Sequence, residues 1–248
     1  MNIGVQLYTL RKYLRKPENV RGVFEKVRNM GAEVVQVSGL CPMDSKELAK
    51  ISADTNLPIC ITHASVDRIK NDLDQLAEEH LEFGCKNMGI AMMPWEYQKD
   101  VDGLKRFIAL LNSTAEKLKK YAMTIGYHNH TFEFKRIGNR VIMDILIEDT
   151  IPDVEFIPDT CWIRAGGHKP EDYIEKMTGR INTIHLKDYK RSFFKHTPKA
   201  AGEGILDFKS ILAAAIRHGA INSVVELDHH RDPFLALEKS LKNIRILC

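Results

Sequence analysis

The alternation of short apolar runs with longer amphipathic stretches predicts an α/β chain folded as one (β/α)8 barrel domain spanning residues 1–248. Three observations carry this expectation. Eight apolar runs, most of them rich in Val, Ile or aromatics, are too short for helices. A helical pattern follows each run. Five of the eight runs end in an ionisable side chain, and barrel enzymes place their chemistry at the C-terminal ends of the strands.

The runs cover 3–8, 33–38, 57–63, 87–92, 123–130, 154–159, 181–187 and 223–227, the fourth having the weakest pattern. The helical patterns between them cover 20–30, 44–55, 70–83, 101–121, 142–149, 173–177, 208–218 and 233–246. In the first, Val20, Val23, Phe24, Val27 and Met30 share a face and Gly31 stands as a C-terminal stop. The second opens with an Asp/Ser cap pattern at Asp44. Pro170 and Glu171 suit the first turn of the helix that carries Tyr173. Each strand–helix unit takes about 31 residues, the length a minimal barrel needs. A doubly wound open sheet is the competing architecture, and it usually carries a Gly-rich phosphate loop after an early strand. No G-x-G-x-x-G occurs here, and Gly202-Glu203-Gly204 precedes a helix without directly following a strand.

Composition narrows the function classes. The chain is 44% hydrophobic and 28% charged, enough to bury a core and unlike a disordered segment. A net charge of +3 is too balanced for a nucleic-acid or membrane-surface footprint. No apolar stretch reaches the ~18 residues of a membrane span. The start places apolar residues before basic ones and lacks a small-residue cleavage site, so the expected location is cytoplasmic. Five widely spaced cysteines with no C-x-x-C are expected to be buried free thiols rather than disulfides or a thiolate metal site.

The strand ends carry the candidate chemistry. The third run ends in His63, the fifth in His128-Asn129-His130 and the sixth in Asp159. The seventh ends in His185-Leu186-Lys187-Asp188 and the eighth in Glu226-Leu227-Asp228. Side chains alternate along a strand, so His128 and His130 share a side, as do His185 and Lys187, and Glu226 and Asp228. Pointing these inward avoids burying ionisable groups against the helices. His128, Asp159, His185 and Glu226 then meet at the tops of four strands. Two imidazoles and two carboxylates suit Mn²⁺, Zn²⁺, Fe²⁺ or Co²⁺ better than Ca²⁺. By spacing alone, a metal-free active site or a hydrogen-bonded polar plug also accommodates them.

These residues resemble the xylose isomerase-like TIM-barrel superfamily, in its sugar phosphate isomerase/epimerase group. The matching stretches are Ile3-Gly4-Val5-Gln6-Leu7-Tyr8-Thr9-Leu10-Arg11, and Tyr127-His128-Asn129-His130 with Glu133-Phe134. They continue with Asp159, Trp162 and Ala165-Gly166, then Gly179-Arg180-Ile181 running to His185-Leu186-Lys187-Asp188, Gly202-Glu203-Gly204, and Val225-Glu226 with Asp228. The resemblance implies one divalent ion held at the ends of strands 5 to 8, usually by Glu, Asp, His and Glu. Asp159, His185 and Glu226 match, and His128 stands where the first Glu is usual. The two-glutamate pair of the 3-epimerases is therefore incomplete. Gln36 likewise stands where relatives often carry Glu.

The chemistry implied is proton removal beside a sugar carbonyl, on a small-molecule sugar or sugar phosphate. Glu226 is the expected base, and His128, His130 or His63 its acid partner. Lys187 is expected to hold a hydroxyl or offset oxyanion charge. His63, Trp162, Glu133 and Gln36 are the expected substrate-side residues. For Trp162 the role is stacking on the sugar; for Glu133 it is support of His130 or a loop cap. Lys190, Arg191, Lys195 and His196 read as a solvated basic loop, with phosphate binding as the other reading. Phe193-Phe194 reads as a lid or an oligomer contact, and His229-His230 extend beyond strand 8, with lining of the mouth as the lesser reading. Met92, Met93, Pro94 and Trp95 read mainly as packing, with a pocket wall as the lesser reading. An inosose or 3-keto-sugar dehydratase is the rival enzyme. A non-catalytic sugar-binding barrel and an AP endonuclease stand further off, the latter needing more metal ligands and a basic face. Members of this group commonly form dimers or tetramers, so a homo-oligomer is compatible with the sequence.

Overall fold

Eight parallel strands form the inner wall in a computed structural model that describes residues 1–192 and 195–247, with backbone alone at 191, 192, 195 and 196. The strands are β1 (Asn2–Gln6), β2 (Val35–Val37), β3 (Ile59–His63), β4 (Asn87–Ile90), β5 (Thr124–His128), β6 (Val154–Ile157), β7 (Thr183–Leu186) and β8 (Asn222–Val225). They run in the order β6-β5-β4-β3-β2-β1-β8-β7. Parallel bridges Phe156–Ile181 and Asp159–His185 span the remaining seam between β6 and β7 and bring the barrel round. Strand and helix alternate throughout, and the fold is a single TIM barrel. Among the described residues no helix is long and apolar enough to cross a membrane.

Each expected strand is present, generally shorter at its C-terminal end than its apolar run. Hydrogen-bonded pairing stops where the chain must turn outward, and the last residues of each run become the rim. Asp159, Lys187, Glu226 and Asp228 therefore lie just beyond their strands, in the position from which loops deliver chemistry.

The helices follow their sequence signals with local corrections. The first begins a turn early, at Pro17–Asn29, because Pro17 can occupy the first turn without a missing hydrogen bond. Asp44 caps Ser45–Asp54, accepting from the Lys46 and Glu47 amides at 2.9 and 3.2 Å. The stretch expected as 70–83 is two helices, Val66–Asn71 and Leu73–Glu82, broken at Asp72. Ser65 caps the first of them through the Arg68 amide, a start signal upstream of the apolar pattern. The helix Val101–Leu118 ends in a 3-10 turn at Lys119–Tyr121. Pro170–Lys176 occupies the 173–177 stretch.

The expected basic loop after β7 is an antiparallel hairpin, Asp188–Ser192 with Lys195–Lys199. Alternating polar and β-favouring residues carry too little apolar pattern to reveal a ribbon. The Phe193-Phe194 pair lies outside the described residues. Beyond the hairpin, Asp188 explains the Gly-Glu-Gly motif. Its carboxylate accepts from the amides of Gly202, Gly204, Ile205 and Leu206 at 2.7–3.3 Å. A side chain at Gly204 would collide with the Asp188 carboxylate, so only glycine fits. The nest of amides is filled by the protein's own carboxylate.

Candidate active site at the barrel mouth

β5 ends by presenting His128, and β6 hands over to Asp159, the N-cap of the helix Thr160–Ala165. One oxygen of Asp159 is spent on that cap, accepting the Trp162 amide at 3.0 Å. The other, Oδ2, faces the centre, 3.3 Å from Nε2 of His128 and 3.9 Å from Nδ1 of His185. Across the rim, His185 Nδ1 lies 2.8 Å from Oε2 of Glu226, poorly aligned for a hydrogen bond. Donor atoms of His128, Asp159, His185 and Glu226 all lie within 4.8 Å of one another, and all four residues are buried.

The partners behind the two imidazoles set their protons. Nδ1 of His128 donates to the Ala91 carbonyl at 3.0 Å. Nε2 of His185 donates to Oε1 of Gln36 at 2.6 Å. Each ring then presents a bare nitrogen to a carboxylate oxygen, which also only accepts. Two lone pairs facing one another in a buried site call for a positive charge between them, either a proton on the imidazole or a metal ion. This is the arrangement in which second partners orient metal-binding histidines.

Charge leads to the same fit. Lys187 is buried, with Nζ 2.8 Å from Asp228, 3.5 Å from Asp159 and 3.8 Å from Glu226. Three carboxylates against one ammonium leave a double negative charge when the imidazoles are neutral, matched by one divalent cation. The residues present therefore fit a divalent ion held by two nitrogens and two oxygens.

The titrations reflect these contacts. Burial pulls the His185 pKa down, with His128 adding to it, so this ring is neutral. Burial opposes charge on His128 too, but the Asp159 carboxylate outweighs it and the net shift is upward. Burial raises the Glu226 and Asp159 carboxyls, yet Lys187 and the imidazoles overcome this, holding Asp159 below the usual range and Glu226 well below it. Lys187 is held above the usual lysine range, because Asp159, Glu226 and Asp228 outweigh its burial.

His63, from β3, reaches the same cavity. Its Nδ1 lies 3.1 Å from the Ser38 hydroxyl, while its Nε2 is buried with no partner. Its ring centroid lies 5.6 Å from that of His128 and 5.8 Å from that of His185. Burial, then the neighbouring imidazoles, lowers its pKa well below the ordinary histidine value. Gly89 admits it: a Cβ there would meet the Thr62 carbonyl at 2.6 Å and the His63 ring at 3.1 Å. The cavity measures about 290 Å³ and is lined by residues including Gln6, Tyr8, His63, His130, Lys187 and Glu226.

Three expected substrate-side residues take other positions. Trp162 does not line this cavity; its ring covers the Lys187 ammonium at 4.5 Å, a cation–π contact that fixes the lysine. Gln36 is fully buried behind His185. Glu133 lies behind His130, taking the His130 amide at 2.8 Å and the Tyr127 hydroxyl. Burial pushes the Glu133 carboxyl up to about 7. His130 itself lies in the cavity wall between His128, Phe132 and Trp162, and burial pushes it down to about 3.

Two contributors escaped the sequence reading. Ser38 orients His63, and Asn129 accepts the Asp159 amide at 2.9 Å, tying the end of β5 to that of β6. Asn129 was visible between two histidines, but strand parity placed it on the outer side, where its bridging role has no local signal.

Fold and site together define a (β/α)8 barrel with a buried His/Asp/His/Glu centre at its C-terminal mouth. The chain belongs to the xylose isomerase-like TIM barrel family, whose model matches residues 24–247. Among solved structures it is similar to a sugar phosphate isomerase/epimerase from Parabacteroides distasonis, at 22% identity and a TM-score of 0.80, over 99% of this chain and 95% of that one. It is also similar to an L-ribulose 3-epimerase, at 18% identity and a TM-score of 0.77, over 99% and 94% of the two chains. The probable 3-DHS dehydratase AsbF of Bacillus anthracis is similar at 14% identity and a TM-score of 0.77, over 99% of both chains. No curated protein matches the chain in sequence.

Proposed function

We propose that this protein is a sugar isomerase or epimerase that moves a proton beside a carbonyl, using a divalent ion held by His128, Asp159, His185 and Glu226. The observation that carries the reading is the pair of imidazoles whose protons are spent on Ala91 and Gln36, leaving bare nitrogens against Asp159 and Glu226. Mn²⁺, Zn²⁺, Co²⁺ and Fe²⁺ suit this donor set. Such an ion supplies charge stabilisation to a carbonyl oxygen while the adjacent carbon loses its proton.

The chain's own groups do the rest. Glu226 is ionised and borders the cavity, so it can take the proton from carbon. Nδ1 of His128 is spent on the Ala91 carbonyl and its Nε2 faces Asp159 where the ion would be held, which removes it as acid partner. His63 takes that role: it presents Nε2 to the cavity from β3 with Ser38 steadying its other nitrogen. Lys187, pinned by Asp228 and Trp162, faces the substrate oxygens as a fixed positive charge.

The dehydratase reading uses the same base and centre. It draws on His128 standing in place of a second carboxylate, which leaves one carboxylate base at the centre. Elemental mass spectrometry of untagged protein, wild type beside His185→Ala, tests the proposal. Close to one Mn, Zn, Co or Fe per chain, lost in the variant, is the expected result. No ion in the wild type after incubation with Mn²⁺ or Co²⁺ overturns it. Product mass then separates isomerisation, which conserves mass, from dehydration, which loses one water.

A further inference from the structure

We propose a subsite for a phosphate monoester beside the catalytic cavity, formed where the turn after β1 meets the loop after β8. The inference deepens the isomerase reading and rests on it for the identity of the substrate's other end. The subsite is a second cavity of about 160 Å³, with Arg11, Lys12, His229, His230 and Arg231 in its wall.

Arg11 is the built part. Its Nη1 donates to the Tyr8 carbonyl at 2.8 Å and its Nη2 to the Asp228 carbonyl at 2.9 Å. Its guanidinium lies 4.1 Å over the Tyr8 ring, and Nη2 is 3.4 Å from Nδ1 of His229. The group is therefore held in place by neutral acceptors, with its charge uncompensated and further N–H donors to spare. Among the described residues, Arg11, Lys12 and Arg231 form no ion pair. Asp228, the one carboxylate among the residues lining this cavity, accepts from Lys187 at 2.8 Å. Three unpaired cations and two imidazoles exceed what a single carboxylate needs, and they match a dianion with three acceptor oxygens.

The two cavities adjoin. Asp228 lines both, and Tyr8 borders the catalytic one while carrying Arg11 on its ring. From Lys187 to Arg11 the path passes through Asp228 alone, by its carboxylate and then its carbonyl. A sugar with its reacting carbon at Glu226 thus meets, at its far end, a cluster of positive charge on the β8–β1 side.

The test reads binding, not turnover. Inorganic phosphate is titrated into histidine-labelled protein and the imidazole signals are followed by NMR. Saturable shifts at His229 and His230 are expected, with none at His80, which is buried against Thr62 and Leu76. In K12E/R231E, both exposed positions outside the catalytic centre, phosphate affinity should fall at least tenfold. Absence of saturation, or equal affinity in the variant, overturns the subsite. A second titration compares fructose 6-phosphate with fructose and with phosphate. Tighter binding of the ester than of either part places the subsite next to the sugar. An ester that binds no better than free phosphate makes this a site for the free ion and overturns the substrate assignment. Because neither titration needs catalysis, a protein that binds the ester but moves no proton refutes the isomerase reading while leaving the subsite standing.

Discussion

The two halves of the barrel mouth are built on different principles. The β5–β8 half carries His128, Asp159, His185, Lys187, Glu226 and Asp228, a set of titratable groups within ion-pair reach of one another. The β1–β4 half of the same cavity presents Gln6, Tyr8, Ser38, His63, Ala91 and Met92, with neither a carboxylate nor an ammonium among them. Buried charge is tolerated only where it is paired, so the charges gather on adjacent strands. The neutral half keeps an unpartnered His63 Nε2 directed at what binds between. The charged groups thus gather on one half, and the other half contributes neutral polar groups, His63 among them, to the same cavity.

The largest break in this comparison comes from the charged half. Glu226→Gln should lower turnover by about 10³–10⁴-fold, at the upper end for a positioned acid–base group, while circular dichroism shows an intact fold. Full activity in this variant would remove Glu226 from the chemistry. His63→Gln probes the neutral half, and its expected loss is smaller, about 10²-fold in kcat. An unchanged kcat would reduce that half to a wall. Gln36→Leu tests the point where the halves touch. It frees the His185 ring without removing a ligand, so metal affinity should fall by about 10-fold, as such outer partners usually give. Equilibrium dialysis reads this directly, and unaltered affinity would mean that the barrel alone orients His185.

The smallest effect on turnover is expected at Glu133, which sharpens the comparison through stability. Its folded pKa of about 7 lies above the ordinary value of 4.5. Between those values the folded state keeps a proton that the unfolded state has lost, so stability falls as pH rises from 4.5 to 7 and then levels. The full drop corresponds to about 3 kcal/mol. Glu133→Gln should flatten that slope in urea melts run across the window. A slope that persists would assign it to another group.

Much of the fold is legible in the chain because periodicity is a local property. The helix Ile142–Asp149 has the bounds its pattern predicts, and all eight strands lie within or next to their apolar runs. The four residues of the buried centre were legible too, since His128, Asp159, His185 and Glu226 each close an apolar run. The hairpin after β7 was not, because a ribbon resting on the rim needs no apolar alternation. The place of Trp162 after Asp159 suggests a sugar wall, yet its ring covers Lys187, a residue delivered by a different strand. Gln36 was read by its position at a strand end, and its function appears only with its partner.

By itself, then, the sequence determined the number of strand–helix units, the inward side of the fifth, seventh and eighth strands and the chemical types at the mouth. Those follow from spacing along a few residues. Only the tertiary structure decided which nitrogen of each imidazole is bare, which carboxylate oxygen is free, and which aromatic ring lies on which cation. Gln36 and His185 are 149 positions apart, and the bond that sets the proton on His185 exists only because the strands close into a barrel. Tautomer and ring placement are settled by partners brought together in space, and no local pattern encodes them.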